Sequence, residues 1–306
     1  MSLASDLLLD RRRLKRRLFT SRLVSICAVA VAVGTGIRAA GIGVHGRHLA
    51  CVTVNGLITE DRKRNHAVEA LANDDSVAAV VLYVDSPGGS LAGGESLHDA
   101  LVRVAAAKPV VAVLGGTAAS AAYMIAIPAS RIFAREGTLT GSIGVLLETV
   151  ELSGLLRTLG VSAEAIVSGP LKGQPSFFHP LSAAGRDVLN DVVMNMHELF
   201  ISMVAHGRNL AIDEVRKLAD GRPYTGRQAL QLRLIDEIGG EPEAREWLGG
   251  EKGVPGDLPT EDVQTSSLAE RALLAELGAT LEGLLEALAE QALSLDGVLA
   301  VGHPAR

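Results

Sequence analysis

Three stretches of this chain hold residues that could do chemistry. In GGTAASAAYMIAIPAS, residues 115–130, Ser120 stands between Ala119 and Ala121, after the flexible pair Gly115–Gly116 and before the large Tyr123. Small neighbours clear space around a nucleophilic hydroxyl. They also let backbones pack closely, and a serine before a helical pattern is most often an N-cap. A serine nucleophile needs a base. Histidine is the usual one, and the chain has eight. His98 falls in one helical pattern and His197 and His206 in a longer one. His45, His48 and His303 lie near termini or boundaries, and spacing alone excludes none of them. Lysine offers another route. Lys172, in VSGPLKGQPS, is the only lysine between Lys108 and Lys217. A lysine is a base only where desolvation brings its pKa down from about 10.4 towards neutrality. Neutral surroundings such as Leu171, Gly173 and Phe177 permit that; a surface lysine is the plain alternative. The third stretch is SPGG, residues 86–89, behind an apolar run that ends at Asp85. Pro87 stiffens the turn, while Gly88 and Gly89 allow N–H groups to point into a cleft, where they suit a developing oxyanion.

Alternating strands and helices would have to position these residues. HLACVTVNG (48–56), VAAVVLYVD (77–85), PVVAVLG (109–115) and RIFAR (131–135) read as strands. The second and third are continuous apolar runs of the kind buried on both faces. HAVEALAND (66–74), ESLHDALVRVAAA (95–107), 118–127, 182–206 and IDEVRKLAD (212–220) read as helices, with Leu97, Leu101 and Val104 on one face of the second. VELSGLLRTLG (150–160) is amphipathic, and VSAEAIVSG (161–169) looks like a strand ending in a loop. This alternation predicts a parallel sheet with right-handed crossovers. SPGG and Ser120 then fall beyond the carboxyl ends of neighbouring strands, where such sheets bind ligands.

The 306 residues are 48% hydrophobic but only 3% aromatic, so Leu, Val, Ile and Ala fill the core. A net charge of −6, with no basic patch after the first fifty residues, argues against nucleic acid as main partner. Cys27 and Cys51 form no disulfide framework and no metal cluster of the usual spacing. The first forty-five residues differ in kind. Seven basic residues, Arg11 to Arg22, precede the uncharged run LVSICAVAVAVGTGI (23–37). That run is short for a span of roughly 20 residues, but apolar residues continue to Val44, with Arg38 able to reach a headgroup. An uncleaved signal anchor is the expectation; a cleaved signal and a soluble N-terminal segment are the alternatives. The positive-inside rule places the N-terminus in the cytoplasm and the remainder of the chain beyond the membrane. From Gly249 the composition turns to Gly, Pro and acidic residues, read as a linker. The tail then carries a stripe of Leu277, Leu281, Leu284, Leu285 and Leu288.

DSPGG (85–89), TAASAAY (117–123), TGSIGV (140–145), SGPLKG (168–173), GRPYTGRQA (221–229) and LIDEIGG (234–240) together resemble the signal peptide peptidase A family. These are membrane-anchored serine proteases with a Ser–Lys dyad, on a fold shared with Clp protease and crotonase. The resemblance runs over residues 48–248 and is specific as a set. It implies an α/β, Clp/crotonase-like β-α superhelix core over 46–248. An anchor would precede it over 1–45, and a linker and amphipathic helical tail would come after it over 249–306. It implies Ser120 as nucleophile and Lys172 as general base. Oxyanion donors would come from Gly88 or Gly89 and from Ala121, and Ser142 would help orient the lysine. One departure is that the family commonly has Gly-Gly where this chain has Ala121–Ala122; alanine is still small and still donates an N–H. The family's short members build their sites between protomers, so a homo-oligomer with inter-subunit sites is expected. Substrates would be apolar peptides such as remnant signal peptides, on the periplasmic side of a bacterial inner membrane, with no cofactor and no metal. The rival readings are a crotonase-type acyl-CoA hydratase or isomerase, a Ser–Lys protease that cleaves stomatin-like partners, and a non-catalytic scaffold.

Overall fold

The apolar run from Val77 becomes β2 (Val77–Ser86), lying between β1 (His48–Asn55) and β3 (Val110–Ala119) in a computed structural model that describes residues 46–263. Both neighbours pair with β2 in parallel. Its continuous apolar sequence is explained by burial on both faces. Val80, Leu82 and Val84 face the larger core cluster, and Ala79 and Val81 face a smaller one. The larger cluster is closed by α1 (Arg62–Ala70), α2 (Leu91–Ala107) and the last turns of α5 (Ala183–Gly207). The smaller is closed by Ala244 and Leu248 of α8 (Glu241–Lys252). Leu97, Leu101 and Val104 of α2 are buried, as their spacing predicts.

β3 has two partners in succession along its outer edge. Val111–Leu114 pair with β4 (Arg131–Ala134), and Thr117–Ala119 pair with β5 (Leu139–Gly141). Between the halves, at Gly115–Gly116, the register against β2 shifts. The Asp85 carboxylate bridges this break by accepting from the Thr117 N–H at 3.0 Å. Asp85 therefore holds the sheet together at the strand ends. β6 (Pro223–Thr225) adds to β5 antiparallel, and β7 (Glu237–Ile238) extends β4. The remaining helices are α3 (Ala121–Ala126), α4 (Ser153–Thr158), α6 (Ile212–Leu218) and α7 (Gly226–Gln231).

Three expectations are corrected. The helix expected from Ala118 begins only at Ala121, because Ala118 and Ala119 complete the ladder to β5. The strand expected at 161–169 is absent: 161–167 carries no regular structure and is wholly exposed. A strand forms only where another edge takes its N–H and C=O groups, and no described strand lies against this stretch. The linker expected from Gly249 is instead the end of α8 followed by β8 (Thr260–Asp262), which pairs in parallel with β1. Its Gly and Pro residues make the turn between them. Among the described residues no helix is long and apolar enough to cross a membrane. The expected anchor and the leucine-striped tail lie outside the described residues.

Candidate active site

β3 ends and α3 begins at a single residue, Ser120. Its backbone has φ 57° and ψ −125°, a conformation that costs a non-glycine residue about 1–3 kcal/mol. Hydrogen bonds over-determine it. The Ser120 N–H donates to the Gly141 carbonyl at 2.9 Å, and the Ser120 carbonyl accepts from Tyr123 N–H and Met124 N–H at 2.9 and 3.0 Å. The side chain is not used in this way. An N-cap side chain needs extended backbone to reach back to its helix; Ser120 lacks that geometry and makes no cap bond. The hydroxyl is thus presented on a strained strand-to-helix turn, the arrangement that exposes the serine nucleophile in α/β-hydrolases.

The helix after Ser120 is held rigidly. All six residues of α3 are buried. The Tyr123 hydroxyl donates to the Leu234 carbonyl at 2.7 Å, and burial holds that phenol well above its ordinary pKa. Next to Leu234, Asp236 accepts from Arg208 at 2.6 and 3.1 Å and from the Ile132 N–H at 2.8 Å. Burial alone would lower the Arg208 pKa, but the hydrogen bonds to Asp236, together with the electrostatic pull of Tyr123 and of the Asp236 charge, more than offset it and the guanidinium is held above its usual value. LIDEIGG and Tyr123 are therefore the buttress of the serine turn.

The SPGG turn lies directly against Ser120. At Gly88, with φ +109°, a Cβ would meet the Ala119 carbonyl at 2.8 Å and the Ser120 Cβ at 2.9 Å, so only glycine fits. At Gly89 a Cβ would sit 1.9 Å from the Ile58 carbonyl oxygen. The Gly88 N–H donates to Ser86 Oγ at 3.1 Å, whereas the Gly89 and Ala121 amides have no acceptor among the described residues. Ser142 is the second strained serine, with φ 48°. It follows Gly141, the register partner of Ala119, so the two serines leave adjacent strands side by side. Its hydroxyl donates to the Gly221 carbonyl at 3.2 Å.

Ser120, Gly89, Ala121 and Ser142 line one cleft of about 820 Å³. One wall is apolar, with Leu91, Met124, Val193, Met196 and Phe200; Asp220 stands on the other. Hydrogen bonds from the Arg222 side chain and backbone hold the Asp220 carboxyl below its usual range. Lys172 is not among the lining residues. It is exposed, in a turn closed by Lys172 N–H to the Gly169 carbonyl at 3.1 Å. Gln174 ties that turn to the start of α5. Its Oε1 accepts from the Ser182 N–H and hydroxyl at 3.1 and 2.8 Å, and its Nε2 donates to the Pro170 carbonyl. One chain thus brings the serine, the oxyanion candidates and Ser142 together and leaves the lysine outside. His197, which spacing did not single out, does line the cleft. No group of three or more His, Cys, Asp or Glu residues that could hold a metal ion occurs among the described residues.

The sequence matches the model of peptidase family S49 over residues 103–255 and that of Clp protease over 52–135. It is 36% identical over 213 residues to a candidate protease of Synechocystis sp., covering 69% of this chain and 76% of that one. A candidate signal peptide peptidase SppA of Enterococcus faecium is 34% identical over 224 residues, 69% of this chain and 65% of the relative. The chloroplastic serine protease SPPA of Arabidopsis thaliana is 30% identical over 176 residues, 56% of this chain but 26% of that longer protein.

Proposed function

Because the chain belongs to peptidase family S49, the signal peptide peptidase A family, we propose that it is a serine endopeptidase that cuts apolar peptides through an acyl-enzyme on Ser120, with Lys172 of a neighbouring copy as general base. The observation that carries this reading is the Ser120 turn. A hydroxyl with no cap bond stands on strained backbone beside two amides that have no acceptor, in a cleft with an apolar wall.

In this mechanism a neutral lysine amine takes the Ser120 proton as Oγ attacks the scissile carbonyl carbon. The carbonyl oxygen becomes an oxyanion and accepts from the Gly89 and Ala121 amides. The Gly88 amide is left to shape the turn, since it already donates to Ser86. The C–N bond breaks, and the leaving amine takes the proton from the lysine. The same lysine amine then takes a proton from a water that attacks the ester carbonyl, and it returns that proton to Ser120 Oγ as the C–O bond breaks and the acid product leaves. Ser142, whose proton goes to Gly221, keeps lone pairs to accept from the lysine. The neighbouring copy is invoked because Lys172 lies outside the cleft of its own chain, and burial between copies is what makes an amine a base. The apolar wall suits aliphatic side chains, as in remnant signal peptides. The basic block and apolar run before residue 45 would anchor the enzyme in a bacterial inner membrane, with this domain on the periplasmic side.

Mixing inactive chains tests the arrangement. Ser120→Ala and Lys172→Ala each lower hydrolysis of a quenched Leu/Ala peptide by about 10⁴-fold or more. Dissociated and reassembled together in equal amounts, they recover roughly a quarter of wild-type activity, because a working site draws one residue from each neighbour. No recovery overturns the inter-chain dyad, and full activity of Lys172→Ala overturns the base.

A further inference from the structure

Resting on the peptidase reading above, we propose that His197 binds the substrate, its imidazole Nε2 forming a hydrogen bond with the backbone of the peptide in the Ser120 cleft. Val193, His197, Phe200 and Val204 fall at spacings of four, three and four on α5, which puts them on one face. Phe200 and Val204 are buried in the main core. Val193, His197 and Phe200 line the cleft. His197 therefore stands where the core-facing stripe of α5 emerges over the serine. Its Nε2 is shielded from solvent and has no hydrogen-bond partner. A sheltered polar atom without a partner is uncommon, because it loses water and gains nothing in exchange.

A peptide laid along this wall raises the matching problem. Each extended residue brings an N–H and a C=O that must be satisfied when water is displaced. The α5 wall otherwise offers Val193, Met194, Met196 and Phe200, none with a hydrogen-bonding side chain of consequence. One ring nitrogen and one peptide group, each unpaired alone, satisfy each other. The same ring is poorly set up as the base. A general-base histidine is oriented by a hydrogen bond at its other nitrogen, and neither His197 nitrogen makes a hydrogen bond among the described residues. His98 and His206 line a different groove, on the far side of α5.

The experiment uses the full chain and a quenched Leu/Ala peptide. His197→Ala and His197→Phe, the second of which fills the space but cannot bond, raise KM by roughly tenfold to a hundredfold and leave kcat within about threefold. His197→Asn, which restores a donor and an acceptor, returns much of the loss. An unchanged KM in His197→Phe overturns the proposal; so does a collapse of kcat in all three variants at constant KM, which would make the ring the base. Peptide affinity of Ser120→Ala and of the double variant Ser120→Ala/His197→Phe, measured by fluorescence anisotropy, separates the two readings. If the wild type hydrolyses nothing while affinity still depends on His197, the peptidase reading alone fails. If hydrolysis is normal and the two affinities are equal, the His197 assignment alone fails.

Discussion

The two proposed catalytic side chains sit in parts of the chain built in opposite ways. Ser120 is followed by a helix buried on every side, and its turn is backed by Tyr123–Leu234 and by Arg208–Asp236. Lys172 lies in residues 142–182, where the only helix, α4, buries no residue. There Leu155, Leu159, Phe177 and Phe178 are each more than half exposed, and Ile166 is 99% exposed. In the first half of α5, Val188, Val192 and Met194 are also exposed. Contiguous exposed apolar surface of this kind is characteristic of interaction sites. The serine turn is packed and buttressed by its own chain, whereas the lysine region carries exposed apolar residues. A site drawing on both is complete only when something covers the second.

The largest expected effect tests the self-sufficient half. Arg208 is 8% exposed and Asp236 27%, and Asp236 also holds the Ile132 N–H. Arg208→Ala leaves that carboxylate sheltered and unpaired, at a cost of about 3–5 kcal/mol. Urea unfolding of the full chain measures it, and a loss below about 1 kcal/mol would mean that the buttress is not needed. Tyr123→Phe comes next. It leaves the Leu234 carbonyl without its donor, for about 1–2 kcal/mol. Activity in Tyr123→Phe should fall with stability on heating, and at low temperature it should stay near that of wild type.

The same contrast explains how much could be read from residue order. β1, β2 and α5 were legible because an alternating run, a continuous β-branched run and a long apolar pattern of period 3.6 leave few alternatives. The serine motif was legible as small residues around a hydroxyl. Its geometry was not, because a run such as AASAA has no signal for φ 57° and reads as helix throughout. The ladder from Ala118 and Ala119 to β5, a long-range pairing, decides the matter. VSAEAIVSG reads as a strand because Val161, Ala163, Ala165 and Val167 alternate with other residues, but no edge among the described strands takes up its backbone groups. GVPGDLPTED reads as a linker because three-residue strands such as β8 leave almost no pattern. His197 was one of eight histidines until the packing of Phe200 fixed which face of α5 meets the cleft.

The smallest effect on the chain's own stability is expected in the lysine region, and it sharpens the contrast most. Ile166 and Phe177 touch little of their own chain, being 99% and 59% exposed. Ile166→Asp and Phe177→Asp should each change the unfolding free energy of the dissociated chain by no more than about 0.5 kcal/mol. The same substitutions put a charge where a second copy would bury apolar surface, so sedimentation should report dissociation at concentrations where the wild type is assembled. If the proposed dyad forms between copies, peptide hydrolysis should fall with the assembled fraction, since Lys172 is then parted from Ser120 of its neighbour. Raising the protein concentration should restore activity and assembly together. If instead Ile166→Asp destabilised the single chain as much as Arg208→Ala, residues 142–182 would be packed by their own domain. The division between a self-satisfied serine region and a lysine region completed by association would then be lost.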